Sequence, residues 1–156
     1  QRQMCIRDRV GYLVCKNAEL LETIAAAKES SDVHTSVLSQ YVLYDYLTHN
    51  DYDGHIAEIR ALYESQCKTM LDAMSECFPA SVSYTRPDGG MFIWCTLPEG
   101  KTALDFFYEA VECKVAVAPG DPFYTAPKAV RTFRLNYTNA SKEEIREGIR
   151  RLGTLL

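Results

Sequence analysis

The sequence predicts an α/β chain in two parts: a strand and two helices over 10–50, then an α+β domain with a small antiparallel sheet over 51–156. Three patterns carry this reading. Apolar residues recur every three or four positions from Ile56 to Cys77, the period of a long helix with one buried face. Two β-rich runs, 82–86 and 91–96, flank Pro87-Asp88-Gly89-Gly90, where Pro and Gly supply the fixed and positive φ values of a tight hairpin. Thr132 to Tyr137 alternates, with Phe133, Leu135 and Tyr137 on one face and Thr132, Arg134 and Asn136 on the other, as in a strand with one face on the core.

Val10 to Cys15 (VGYLVC) is a short apolar run of β-formers and predicts a strand. Asn17 is placed to cap a helix to about Lys28, with Leu20, Leu21, Ile24 and Ala27 inward, and Ser30-Ser31-Asp32 to break it. Thr35 or Ser36 caps a second helix. Its apolar residues, Val37, Leu38, Tyr41, Val42, Tyr44 and Leu47, cover much of its circumference, which calls for contacts on more than one side. The polar stretch 48–54 (THNDYDG) reads as the domain boundary. The long helix follows from about His55, with Ile56, Ile59, Tyr63, Cys67, Met70, Met74 and Cys77 on its core face, and Phe78-Pro79 ends it.

The second hairpin strand (MFIWC) is apolar on both faces and so reads as central or covered. Thr102 caps a helix whose inward residues are expected to be Leu104, Phe107, Tyr108 and Val111. A short buried strand over 115–118 and a Pro119-Gly120-Asp121-Pro122 loop come next. Ser141 and Glu144 have the spacing of a capping box for a last helix with Ile145, Ile149 and Leu152 inward.

Gln1 to Asp8 (QRQMCIRD) has no period and no turn chemistry, and it resembles a translated sequencing-adapter remnant. Residues 1–9 are therefore set aside as an artefact or a disordered tail. The chain carries 17 Lys and Arg against 21 Asp and Glu, a net charge of −4. Without residues 1–9 the balance is 14 against 20, or −6. Either value argues against a nucleic-acid partner for this segment, since phosphates demand a basic face. No apolar run approaches the ~20 residues that span a bilayer, and the start lacks the apolar core of a secretory signal. A cytoplasmic protein is the expectation.

The six cysteines, at 5, 15, 67, 77, 95 and 113, form no C-x-x-C pair, so small buried hydrophobes in a reducing compartment is the preferred reading. His34, His49 and His55 lack metal-ligand spacing and read as surface or capping residues. No catalytic residue and no metal site can be named. Arg134 is the one side chain that stands out. It is a guanidinium in mid-strand beside Asn136, a good two-pronged fork for a carboxylate. From local residues alone a structural ion pair is an equal alternative. Arg131 is a weaker rival at the strand's start, where it can reach water.

Four segments in order give a resemblance over nearly all of 10–156. HIAEIRALY at 55–63, RPDGGMFIW at 86–94, APGDPFY at 118–124 and RLNY at 134–137 resemble motifs of the fold-type I aminotransferases that depend on pyridoxal phosphate. The subgroup is that of 2-aminoadipate and aromatic aminotransferases and of MocR-type regulators. Ala57, Glu58, Glu64 and Ser65 depart from usually basic positions of the long helix.

The resemblance implies that 10–50 is the end of the large cofactor-binding domain and 51–156 the small C-terminal domain. It implies pyridoxal phosphate as cofactor, amino-acid and 2-oxo-acid substrates and a homodimer. By resemblance, Arg134 with Asn136 binds the substrate carboxylate, Gly89 and Gly90 let backbone approach the site closely, and Arg9 binds the cofactor phosphate. The cofactor lysine falls near position 2, which is Arg, and the first lysine is Lys16. The expectation is a C-terminal fragment, inactive alone.

Overall fold

The computed structural model describes residues 10–11, 13–125 and 130–156. The chain divides between Ile56 and Ala57 into two compact units, a few residues beyond the polar stretch that the sequence suggests.

The first unit holds helices α1 (Ala18–Asp32) and α2 (Val37–His49). Asn17 caps α1, its side-chain oxygen accepting from the Leu20 N–H at 3.1 Å. The helix continues through the serines expected to break it. Ser30 and Ser31 donate their hydroxyls to the Ala26 and Ala27 carbonyls at 3.0 and 2.8 Å, so each is satisfied inside the helix. The stop comes at Val33, at φ +58, whose N–H donates to Glu29. Val10 to Cys15 forms no strand in its described residues (Tyr12 lies outside them), because no described segment offers its backbone a ladder. None of the described residues from 10 to 56 is buried. The faces expected inward therefore meet solvent: Leu20 and Leu21 are 48% and 43% exposed.

Helix α3 (Tyr52–Cys77) starts three residues earlier than expected. Asp51 accepts from the Gly54 N–H at 2.9 Å, so half of the polar stretch becomes a helix start. Further along, Cys67, Met70 and Met74 are buried, and Tyr63 and Cys77 pack partly buried beside them, the stripe the period predicts.

In the second unit, strands β1 (Ser83–Tyr84), β2 (Phe92–Thr96), β3 (Ala118–Pro119) and β4 (Thr132–Asn136) make one antiparallel sheet in the order β1-β2-β4-β3. The hairpin strands and the 132–137 strand thus share a sheet, with β2 and β4 central. The strand expected over 115–118 starts only at Ala118, because the Val115 N–H still bonds back to the Ala110 carbonyl.

Helices α3, α4 (Ala103–Glu112) and α5 (Lys142–Gly153) contribute to one core with Ile93, Cys95, Phe133 and Leu135. Thr102 caps α4 as expected, but the helix turns a different face inward. Ala103, Phe106 and Ala110 are buried, while Leu104, Tyr108 and Val111 are exposed and Phe107 is intermediate. Apolar residues lie on both sides of this helix. The side with two alanines comes close enough to bring Phe106 against Phe133, ring centroids 4.8 Å apart and planes tilted by 48°. In α5 the Ser141–Glu144 capping box is complete, and Ile145, Ile149 and Leu152 are buried. Gln66 on α3 donates to the Ala140 carbonyl at 2.8 Å, tying α3 to the start of α5.

Among the described cysteines Cys67 and Cys95 are buried and none is in a disulfide. Burial pushes the Cys95 thiol up to about 12, which leaves it an inert hydrophobe.

Candidate active site

Strand β4 decides which side chains leave the core. Phe133 and Leu135 point into it and are 0% and 5% exposed. Strict alternation then puts Thr132, Arg134 and Asn136 on the opposite face. Arg134 stands between β2 and β3, opposite Trp94 on one side and Ala118 on the other. It is therefore carried on a strand hydrogen-bonded on both edges, a rigid mount.

The surroundings of Arg134 are aromatic. Its Cζ lies 3.8 Å from the centroid of the Phe92 ring and 4.6 Å from that of Phe123. Phe123 in turn meets Trp94 edge-on at 5.5 Å. Among the described residues no carboxylate forms an ion pair with Arg134 and no acceptor takes a hydrogen bond from it. The ion-pair alternative left open by the local sequence thus finds no partner among them. Arg131, the weaker rival, sends Nη1 toward the Leu97 carbonyl at 3.4 Å.

Asn136 is exposed, and its side-chain oxygen accepts from the Thr138 N–H at 2.7 Å and hydroxyl at 2.9 Å. It closes the strand as a local turn, leaving only its amide N–H2 for another partner. Gly89 and Gly90 lie apart from Arg134, in a cavity of about 720 Å³ also lined by Ile59, Tyr63, Cys67, Arg86 and Tyr137. Gly90 sits at φ +95, the left-handed region that favours glycine. A Cβ added to either glycine would meet nothing within 4 Å. The need at Gly90 is conformational. Arg9 lies outside the described residues.

Burial raises the Tyr137 hydroxyl above its ordinary range, with further contributions from Cys67 and Tyr63, and burial raises the Cys67 thiol as well. Both are held protonated on the floor of that cavity.

Four contributors escaped the sequence reading. The alternation of β2 already puts Phe92 and Trp94 on the face away from Ile93 and Cys95, which is Arg134's face. Phe123 belongs to the APGDPFY segment, whose local sequence assigns it no role. Gly120 in the same segment is under steric demand, as Gly153 is against the Cys77 carbonyl. A Cβ there would fall 2.2 Å from the Thr132 hydroxyl and 2.5 Å from its carbonyl. Its N–H donates to that carbonyl at 2.7 Å. This close approach lets the 3-10 turn Asp121–Phe123 fold down against β4 and bring Phe123 onto Arg134.

Lys16, the first lysine, is exposed, and among the described residues no group of three or more His, Cys, Asp or Glu could hold a metal ion. No described helix is long and apolar enough to cross a membrane.

A protein-family model, aminotransferase class I and II, matches residues 5–152; the match begins within the stretch set aside at the start of the chain. A 2-aminoadipate transaminase from Thermus thermophilus is 37% identical over 148 residues, which is 95% of this chain and 37% of the relative. An aromatic-amino-acid aminotransferase from Thermococcus litoralis is 37% identical over 92% of this chain and 34% of its own length. The crystal structure of the α-aminoadipate aminotransferase LysN from Thermus thermophilus, complexed with N-(5'-phosphopyridoxyl)-L-leucine, superposes with a TM-score of 0.76 at 37% identity. That superposition covers 88% of this chain and 35% of that one. The transcriptional regulator NorG of Staphylococcus aureus, of the helix-turn-helix type, is 26% identical over 94% of this chain and 32% of the regulator. The chain thus spans about a third of the length of the relatives it matches.

Proposed function

Because this chain belongs to the aminotransferase class I and II family, whose cofactor is pyridoxal phosphate, we propose that it is the C-terminal part of an enzyme moving an amino group between an amino acid and a 2-oxo acid. Arg134 holds the substrate α-carboxylate. Residues 10–50 end the large cofactor-binding domain and 51–156 form the small domain. The enzyme works as a cytoplasmic homodimer, and this segment takes no part in nucleic-acid or membrane binding.

One observation carries the reading. Arg134 is a cation on a doubly bonded strand, and among the described residues it has no acidic partner and no acceptor for its N–H donors. An anion that arrives there can accept two parallel hydrogen bonds from a fork already in place. The fork fixes the orientation of whatever carries the carboxylate, which is how a binding residue contributes to rate. Asn136 is a secondary contact through its amide N–H2. The unburied apolar helix α2 supports both a missing remainder of the large domain and a dimer.

Cofactor binding is assigned to the longer protein, with Arg9 as this segment's contribution. The 156-residue chain alone is inactive.

The test is Arg134→Gln in the longer enzyme. Binding of amino and oxo acids should weaken by about 3–5 kcal/mol, because the substrate carboxylate loses its partner. The corresponding amines should be little affected, and Arg134→Lys should rescue poorly. Unchanged KM values for the acids would sink the reading. The similarity to NorG supports a second one, the effector domain of a MocR-type regulator; an upstream helix-turn-helix domain in the same gene would select it.

A further inference from the structure

We propose that Phe92 and Phe123 are positioning residues that hold the Arg134 guanidinium by its π-faces and so set the direction from which a carboxylate can bind. The proposal rests on the carboxylate reading of Arg134 and adds residues to which no role had been given.

An arginine on a substrate face has to be held still. The ordinary device is an acidic neighbour, but a carboxylate within the protein would occupy the same N–H groups that the substrate needs. Aromatic rings solve this differently. The negative face of a ring attracts the cation without accepting a classical hydrogen bond from it. Here the Cζ sits 3.8 Å from one ring centroid and 4.6 Å from the other. No ring contact joins Phe92 and Phe123 directly, so they meet the guanidinium from different directions. On this proposal the rings take the guanidinium's faces and leave its edge, where the donors lie in plane, to the carboxylate.

Both rings are themselves fixed. Phe92 pairs with Asn136 in the ladder, two residues along β4 from Arg134, the diagonal at which long side chains on one sheet face meet. Phe123 is braced edge-on by Trp94 at 5.5 Å. The 3-10 turn that bears it reaches β4 only because position 120 is glycine, where any Cβ would strike Thr132. The sequence PGDPF thus delivers a ring to Arg134, and the sequence MFIW delivers the other.

The experiment is a double-mutant series in the longer enzyme, with an amino acid and its decarboxylated amine as substrates. Phe92→Leu and Phe123→Leu should each raise the KM for the amino acid by about 5- to 10-fold, with kcat within about twofold and the amine unaffected. Phe92→Tyr keeps a ring and should stay close to the parent. In an Arg134→Gln background the leucine substitutions should add nothing, since their effect passes through the guanidinium. Phe123 is 51% exposed, so its variant should fold even if Phe92→Leu does not. Effects that multiply with Arg134→Gln, or that fall equally on the amine, would overturn the proposal while leaving the carboxylate reading intact. If Arg134→Gln alone leaves the KM for the acid unchanged, both fall together.

Discussion

Helices α2 and α5 invert the usual relation between composition and burial. Helix α2 (VLSQYVLYDYLTH) is mostly apolar, yet no residue in it is buried, and Leu38 is 74% exposed. Helix α5 (KEEIREGIRRLG) is mostly charged, yet it buries Ile145, Ile149 and Leu152 completely or nearly so. The difference is whether the partner surface lies in the same chain. For α5 three apolar residues on one stripe suffice, because they join the core of their own unit. For α2 a nearly continuous apolar girdle finds no partner in its own unit. An apolar helix surface therefore reports a need for burial, and only the fold reports where that need is met.

Three experiments probe the contrast, beginning with the largest effect. Phe106 is fully buried against Phe133, and Phe106→Ala should cost about 3–5 kcal/mol in denaturant unfolding. A loss under about 1 kcal/mol would mean that the second unit is less well packed than described. Next, Ser141→Ala should cost about 1 kcal/mol by removing the cap of α5.

That variant also has a pH signature. The backbone and side chain of Ser141 hold the Glu144 carboxyl below its ordinary 4.5. A carboxyl lowered in the folded state adds stability that is full above its unfolded pKa and is lost as pH falls through the folded one. The stability difference between parent and Ser141→Ala should therefore shrink below pH ~4.5. The backbone N–H at 141, the larger cause, survives in alanine, so a difference constant down to pH ~2 would show that the Ser141 hydroxyl adds nothing to the shift. Smallest of all, Leu38→Ser and Tyr41→Ser in the 156-residue chain should shift stability by no more than ~0.5 kcal/mol. They should instead lower binding of a hydrophobic dye. A large destabilisation would mean that α2 is packed after all and would end the comparison.

Much of the second unit was legible in the sequence because its signals are local and agree. The Ile56–Cys77 period, the Pro-Asp-Gly-Gly turn, the Thr102 cap, the Ser141–Glu144 box and the Thr132–Tyr137 alternation each name an element that the fold contains. The errors arose where two local readings compete. Helix α4 has apolar residues on two sides, and only the closeness of the sheet selects Ala103, Phe106 and Ala110 over the bulkier Leu104 and Tyr108. Ser30 and Ser31 carry hydroxyls that can break a helix or bond back within it, and they do the latter. At the candidate site, strand alternation puts Arg134 on the side of β4 away from Phe133 and Leu135. Its aromatic neighbours were hidden because Phe123 reaches it only through the fold-back at Gly120, a long-range event that no local pattern announces.

The strand order β1-β2-β4-β3 has a consequence for synthesis. Trp94 on β2 finds its ladder partner Arg134 only 40 positions later in the chain. During translation β2 therefore emerges with one edge bare and both faces apolar, and it stays so until β4 follows. A ribosome that stalls in this interval would hold out a sticky strand beside an incomplete core. The C-terminal forty residues are the lid on that hazard, and a chaperone that protects this nascent chain should release it only once Thr132–Asn136 is in the open.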